Sequence, residues 1–250
     1  MRMKSLLVAT AATLVLAACG GDAGSSGAVK GEPVAKVAAP AGKQWVDIVS
    51  KTEDGGYLIG NPDAKIKLVE YASVTCSHCA EFETEAYEPL LTNYVGTGQV
   101  SFEVRNFLLN PYDIPISILT RCSGPEAYLA LTQQFYQNQR PVLDAMSKVE
   151  PATIEAAMKR PETERYVAMA QAMGVIEFFK ARGVSEDQAK ACLADPSAPK
   201  ELLGMTEKAA SELKVTGTPS FFLNGQLLEI SPQPSVWTQV KTRLQEAGAR

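Results

Sequence analysis

Two cysteines three positions apart, Cys76 and Cys79, enclose His78, the only histidine in the chain. Two thiols and an imidazole in four consecutive residues allow three chemistries: a metal site, a structural disulfide, or a disulfide made and broken in use. A tetrahedral zinc centre needs four ligands. There is no second CxxC and no second histidine to complete one. An imidazole lying between two cysteines is also poorly placed to join them on the same ion. Neither a metal nor any other cofactor is expected. A purely structural bridge is weakly motivated, because so short a loop removes little freedom from the unfolded chain. Redox chemistry is the strongest of the three.

The flanking sequence places this pair at a junction. "KIKLVEYAS", residues 65–73, is β-branched and aromatic and predicts a buried strand that carries Glu70. From Ser77 the pattern changes to "SHCAEFETEAYEPLLTNYV", with Cys79, Phe82, Ala86 and Leu90 at spacings of three and four. That spacing predicts a helix with one apolar face. Cys76 then lies at the helix N-terminus and Cys79 one turn on, on the inward face. Unpaired backbone N–H groups and the helix dipole favour an anion at that end, so a Cys76 thiolate is stabilised and its pKa lowered. His78 would favour the thiolate further if it is protonated or donates a hydrogen bond. A stabilised thiolate favours the dithiol form, which makes the disulfide more oxidising, and it leaves readily.

The N-terminus reads as an export segment. "MRMK" is a positive stretch, and "SLLVATAATLVLAAC" is an apolar run too short to span a bilayer core of roughly 30 Å comfortably. "LAAC" followed by "GG" resembles the lipobox of bacterial lipoproteins, which implies a lipid on Cys19 and removal of the residues before it. Residues 20–43 are rich in Gly, Ala, Ser and Pro without periodicity and read as a disordered tether. Export implies an oxidising compartment, the periplasm of a Gram-negative envelope. With 250 residues, 46% apolar, and a net charge of −4, the composition is globular and carries no basic field for nucleic acid.

The strand, CxxC and helix, with an acid six residues before the first cysteine, resemble the thioredoxin fold. "SH" between the cysteines is similar to the "PH" of DsbA-like thiol oxidases. Downstream, "KVTGTPSFFLNGQLLEI", residues 214–230, resembles that family's cis-proline loop and following hairpin, and "NG" supports the hairpin by itself. The resemblance implies that Pro219 is cis and faces the CxxC, with Thr218 offering backbone hydrogen bonds to an extended substrate. It also implies a proton-transfer role for Glu70 beneath Cys79. A central strand covered on both faces independently favours burial of that carboxyl.

In a minimal thioredoxin fold the second strand, here "QVSFEVRNFLL" at 99–109, leads almost directly to the proline loop. About 110 residues intervene instead, with helical stretches at 125–139, 151–160, 162–183 and 186–195, and a capping box at Ser185–Gln188. The methionines among them read as helical core rather than as an adaptable surface. The expected fold is α/β: a thioredoxin fold with an inserted α-helical domain. Its parts would be a signal peptide at 1–19, the tether at 20–43, thioredoxin-fold segments at 44–110 and 206–250, and the insertion at 111–205. If Cys19 is lipidated and Cys76 pairs with Cys79, Cys122 and Cys192 remain. Their spacing is not that of a second CxxC, so a structural disulfide is expected rather than a second reacting pair or two free thiols. Closing a loop of about 70 residues would contribute about 4 kcal/mol on a chain-entropy view.

The resemblance implies a thiol–disulfide oxidoreductase that donates its disulfide to reduced or unfolded exported proteins and is reoxidised by an integral membrane partner. A monomer is expected, since no dimerisation segment is evident. Ser77 in place of the family's usual proline leaves open a reductase or isomerase kept reduced by an electron donor. A redox-inactive chaperone that uses the groove only to bind is the reading from a different class.

Overall fold

The computed structural model describes residues 31–250. The expected signal peptide, Cys19 and the first part of the tether lie outside the described residues. A helical turn at Trp45–Asp47 leads into an antiparallel hairpin of β1 (Val49–Lys51) and β2 (Tyr57–Gly60). β3 (Ile66–Ala72) follows, with Ile66, Leu68, Glu70, Tyr71 and Ala72 all buried. α1 (Ser77–Leu90) begins directly after Cys76 and buries Cys79, Phe82, Ala86 and Leu90, the residues its periodicity selects. A wider helical turn continues it to Val95. β4 (Val100–Asn106) returns parallel to β3, with Ile66 opposite Val100 and Ala72 opposite Asn106.

The insertion then unfolds as a run of helices: α2 (Asp113–Arg121), α3 (Pro125–Gln137), α4 (Gln139–Met146), α5 (Pro151–Met158), α6 (Glu162–Ala172), α7 (Val175–Lys180), α8 (Glu186–Ala194) and α9 (Ser197–Ser211). Ser185 caps α8, its hydroxyl accepting from the Gln188 N–H. The stretch 162–183, which reads as one helix, is two. Gly174 stands between them at φ 71°, a left-handed backbone that ends α6. α2 and α4 have no counterpart in the sequence reading, and each carries a proline, Pro115 and Pro141. Each proline falls in the first turn of its helix, where its missing N–H had no intrahelical partner to lose.

The chain closes with β5 (Ser220–Leu223), β6 (Gln226–Leu227) and α10 (Val236–Glu246). Asn224 and Gly225 make the β5–β6 turn with positive φ at both positions, as the "NG" pair predicts. The sheet order is β1-β2-β4-β3-β5-β6, with β3 central and β5 antiparallel to it. One apolar core lies between the sheet, α1 and α10; a second fills the interior of the insertion from Ile114 to Leu202. This is the expected thioredoxin fold with a helical insertion.

Two boundaries differ from expectation. The 205/206 division falls inside α9. That helix gives Leu202 to the insertion core and Ala209 to a small cluster with Tyr71, Phe107, Val215 and Phe222, so it belongs to both parts. The 43/44 division also differs, since residues 31–37, read as tether, are docked. The Gly31 N–H donates to the Glu246 carbonyl at 2.7 Å, Val34 N–H to Gly248 at 2.9 Å, and Val37 N–H to Thr97 at 2.9 Å. The Trp45 indole returns to the Val37 carbonyl at 2.7 Å, and the Gln99 amide donates to Val34. At Gly98, φ 73°, a side chain would run into Val37 and Trp45. These are backbone-mediated contacts, and composition carries no signal of them.

Candidate active site

Cys76 is the N-cap residue of α1, extended at φ −80° and ψ 121°, so its sulfur lies over the first free N–H groups of the helix. Both cysteines are reduced. Cys76 keeps 8% exposure against 1% for Cys79, so only Cys76 offers an edge to an incoming sulfur. The antiparallel register of β3 and β5 sets Tyr71 opposite Ser220. That pairing brings the Thr218–Pro219 loop to the end of β3 where Cys76 begins. The Thr218–Pro219 peptide is cis. In the thiol form the Cys76 Sγ donates to the Thr218 carbonyl at 3.3 Å.

The two thiols are electrostatically opposite. The Cys76 pKa is lowered to about 5, first by a hydrogen bond from the Cys79 thiol, then by Thr218 and the N–H groups of Cys79 and His78, all against the cost of burial. The bond to the Thr218 carbonyl cannot survive ionisation, since a thiolate has no proton to donate. The Thr218 hydroxyl is buried without a hydrogen-bond partner among the described residues, and the Thr218 side chain is one cause of the lowered Cys76 pKa. Cys79 is pushed well above the ordinary thiol range, chiefly by burial, and further by its bond to Cys76 and by Glu70.

Glu70 lies buried on β3, and desolvation holds its carboxyl protonated well above the usual carboxylate range, with the charges of Glu83 and Cys76 adding to the effect. Glu83 was not anticipated from sequence. It sits one turn beyond Cys79 on α1, and burial raises it to about 8. Its helical phase was the available signal, masked by a charge that reads as solvated. Glu70 thus lies beside the buried thiol with Glu83 next in line, both able to hold a proton at neutral pH and, among the described residues, neither carboxyl hydrogen-bonded.

The His78 backbone N–H donates to the Cys76 sulfur, and the Cys76 charge adds to the rise in the imidazole pKa. The imidazole's own hydrogen bond goes elsewhere: the side chain is 70% exposed and its Nδ1 pairs with Glu81 at 2.9 Å, the larger cause of that rise. The reason is local: at a helix start the residue three positions on lies within reach of the side chain. Beside the thiols runs a groove of about 530 Å³, lined by His78, Glu81, Phe82, Glu85, Pro219 and Val236 among others.

Cys122 and Cys192 lie apart from this site. They form a disulfide with a Cα–Cα distance of 5.8 Å that ties the end of α2 to α8. Residues that sequence reasoning missed hold the turn before Cys76. Asp113, fully buried, accepts from the Ser73 hydroxyl at 2.8 Å and the Thr75 N–H at 3.0 Å. Tyr136 and Gln139 reach the same turn from the α3–α4 junction.

Comparison with known proteins agrees with this geometry. The thioredoxin family model matches residues 52–240. A solved structure described as a protein-disulfide isomerase from Novosphingobium aromaticivorans is 32% identical, superposes with a TM-score of 0.70, and is matched over 76% of this chain and 98% of its own. Wolbachia pipientis alpha-DsbA1 shares the fold at 18% identity and a TM-score of 0.57, over 78% of this chain and 92% of that one. A Rickettsia bellii protein provisionally named a protein-disulfide oxidoreductase is 26% identical over 80% of this chain. The match spans 69% of that relative's length and 64% of its Rickettsia felis counterpart's, so each carries sequence beyond it. The chain belongs to the thioredoxin family, among its thiol–disulfide oxidoreductases.

Proposed function

We propose that this protein is a disulfide donor to reduced exported proteins, working through Cys76 and Cys79. The observation that carries the reading is the placement of Cys76 at the N-cap of α1 and against Thr218, which lowers its pKa to about 5, beside a buried Cys79 raised well above the ordinary range. A thiolate stabilised in the reduced protein draws the dithiol–disulfide equilibrium towards the dithiol, and hence the disulfide towards oxidising its substrate.

The steps follow from the two environments. A substrate thiolate attacks the Cys76 Sγ of the oxidised protein, forming a mixed disulfide and breaking the Cys76–Cys79 bond. The electron pair leaves on the Cys79 sulfur, which is a poor anion in its buried setting. Glu70, protonated at neutral pH, gives it a proton, and Glu83 lies beyond Glu70 as a second acid. A second substrate thiolate then attacks its own sulfur in the mixed disulfide and expels Cys76 as the stabilised thiolate. The substrate loses two electrons, and the protein gains them as one thiolate and one thiol. The groove beside Pro219 receives the substrate chain in this scheme.

The same proposal places the domain in the periplasm, tethered to a membrane by lipid on Cys19, acting as a monomer and reoxidised by an integral membrane partner. That part rests on the sequence of residues 1–30 and on the family resemblance.

The test is the reduction potential of the Cys76–Cys79 couple in residues 31–250, read by alkylation and peptide mapping in glutathione buffers. A value near about −120 mV, as in DsbA, supports a donor; one near about −270 mV, as in thioredoxin, overturns the direction. A second reading, isomerase, is favoured by the description of the Novosphingobium relative. It predicts a value near about −180 mV together with refolding of a scrambled disulfide substrate.

A further inference from the structure

The turn from Ser73 to Cys76 carries the reacting sulfur, yet much of what holds it comes from the helical insertion. The Tyr136 hydroxyl donates to the Ser73 carbonyl at 3.1 Å. The Gln139 Nε2 donates to two carbonyls, those of Val74 and Cys76, each at 2.8 Å. Gln139 is buried and opens α4 immediately after Asn138, whose φ of −112° and ψ of 11° break the helical path between α3 and α4. That break turns the Gln139 amide back towards the CxxC turn.

We propose that Gln139 is a positioning residue for the Cys76 thiolate. One NH2 group spans two carbonyls two residues apart, which fixes their separation and the backbone angles between them. The Cys76 carbonyl is held a second time by the Ala80 N–H at 3.2 Å, the first turn of α1. With the carbonyl pinned from both sides, the Cα–Cβ direction of Cys76 is set, and its sulfur is aimed at the N–H groups of His78 and Cys79 and at Thr218. Without the amide, the Val74 carbonyl is buried with no donor from Gln139, the turn can rotate, and the sulfur drifts from the groups that stabilise its charge. The insertion thereby tunes the acidity of a thiol to which it contributes no direct donor. A buried polar group that only filled space would be a costly choice there.

This inference rests on Cys76 being the reacting thiol. The test is a thiolate titration of the reduced protein, residues 31–250, by absorbance near 240 nm, in wild type, Gln139→Leu and Leu131→Ala. Leu131 is buried in α3 within the insertion core and serves as a destabilising control. Gln139→Leu is expected to raise the Cys76 pKa by about one unit, a roughly tenfold fall in the thiolate-to-thiol ratio at a given pH. Leu131→Ala should lower Tm and leave the titration in place. An unmoved Gln139→Leu titration, or an equal shift in Leu131→Ala, overturns the proposal. If Gln139→Leu does not fold, the wild-type side-chain amide resonance of Gln139 decides: it should shift with the same midpoint as Cys76, and a flat response overturns the assignment. A wild-type Cys76 that titrates near the ordinary 9.0 would instead sink the reading of the site itself.

Discussion

Cys76 and Thr218 are 142 residues apart in sequence and meet with sulfur to carbonyl oxygen at 3.3 Å. The contact joins the two halves of the thioredoxin fold across the insertion, and the unpartnered Thr218 hydroxyl lies beside it. Thr218→Val removes that hydroxyl and keeps the side chain's shape. We expect the Cys76 pKa to rise from about 5 by roughly half a unit to one unit, read by thiolate absorbance. An unchanged titration would show that the helix N-terminus and Cys79 suffice without it.

The division of labour between the thiols predicts unlike mutants. Cys76→Ser should abolish turnover of a reduced peptide substrate. Cys79→Ser should accumulate mixed disulfides with exported proteins, visible as adducts on non-reducing gels that collapse with reductant. A Cys76→Ser protein that retains full activity would move the function to binding alone, as for a chaperone.

Glu70→Gln removes the acid beneath Cys79 and keeps the volume. Formation of the mixed disulfide by the oxidised protein should slow on the order of 10²-fold at neutral pH, the low end for a general acid. The loss should shrink as the pH rises through the wild-type Glu70 pKa, because the native carboxyl then has no proton to give. Equal rates at all pH values would leave Glu70 structural.

Relative to the oxidised protein, the reduced protein should gain stability with pH. Cys76 has a pKa of about 5 when folded and 9.0 as an ordinary thiol. Between those values the native state binds fewer protons than the unfolded one, so the stabilisation rises with pH and is lost as pH falls through about 5. At pH 7 it amounts to about 2–3 kcal/mol. The oxidised form has no such group. Urea unfolding of both forms at pH 4.5 and 7 should show this difference in slope, and parallel curves would contradict the low pKa. Glu83 acts in the opposite sense in both forms. Its native pKa of about 8 means the native state retains a proton above 4.5, so Glu83→Gln should raise Tm at pH 7–8 and have little effect below pH 4.5.

Breaking the Cys122–Cys192 bridge by a double Ala substitution should cost about 2–4 kcal/mol in the oxidised or reduced protein alike. The Cys76 titration should stay where it is, since neither residue touches the site. A shift there would tie the second bridge to the redox chemistry.

The parts legible in the sequence are those whose signals are local. The strand at 66–72, the helix from Ser77 and the "NG" turn each declare themselves through periodicity or turn chemistry. Cys76 and Cys79 announce their chemistry by spacing. Glu83 was obscured because its charge outweighs its phase on α1, and burial by distant residues is what raises its pKa. Gln139 and Asp113 were out of reach for another reason. The groups they hold at the turn before Cys76, mostly backbone, lie some 40 to 65 residues earlier in the chain, and residue type alone does not encode that pairing. His78 shows the converse, a residue between two thiols whose side-chain hydrogen bond goes to Glu81, leaving Cys76 its charge and its backbone N–H.

The docked stretch from Gly31 to Val37 fixes where the chain enters the domain. It runs past Thr97 and Gly98, just before β4 begins, and β4 is parallel to β3, whose far end leads to Cys76. Seven residues of strand separate the two ends, roughly 23 Å at about 3.3 Å per residue. A load attached ahead of Gly31, whether a tag, a bead or a carrier protein, pulls on one pole while the Cys76 sulfur sits at the other. The sheet then serves as a rigid boom between the point of attachment and the reactive sulfur.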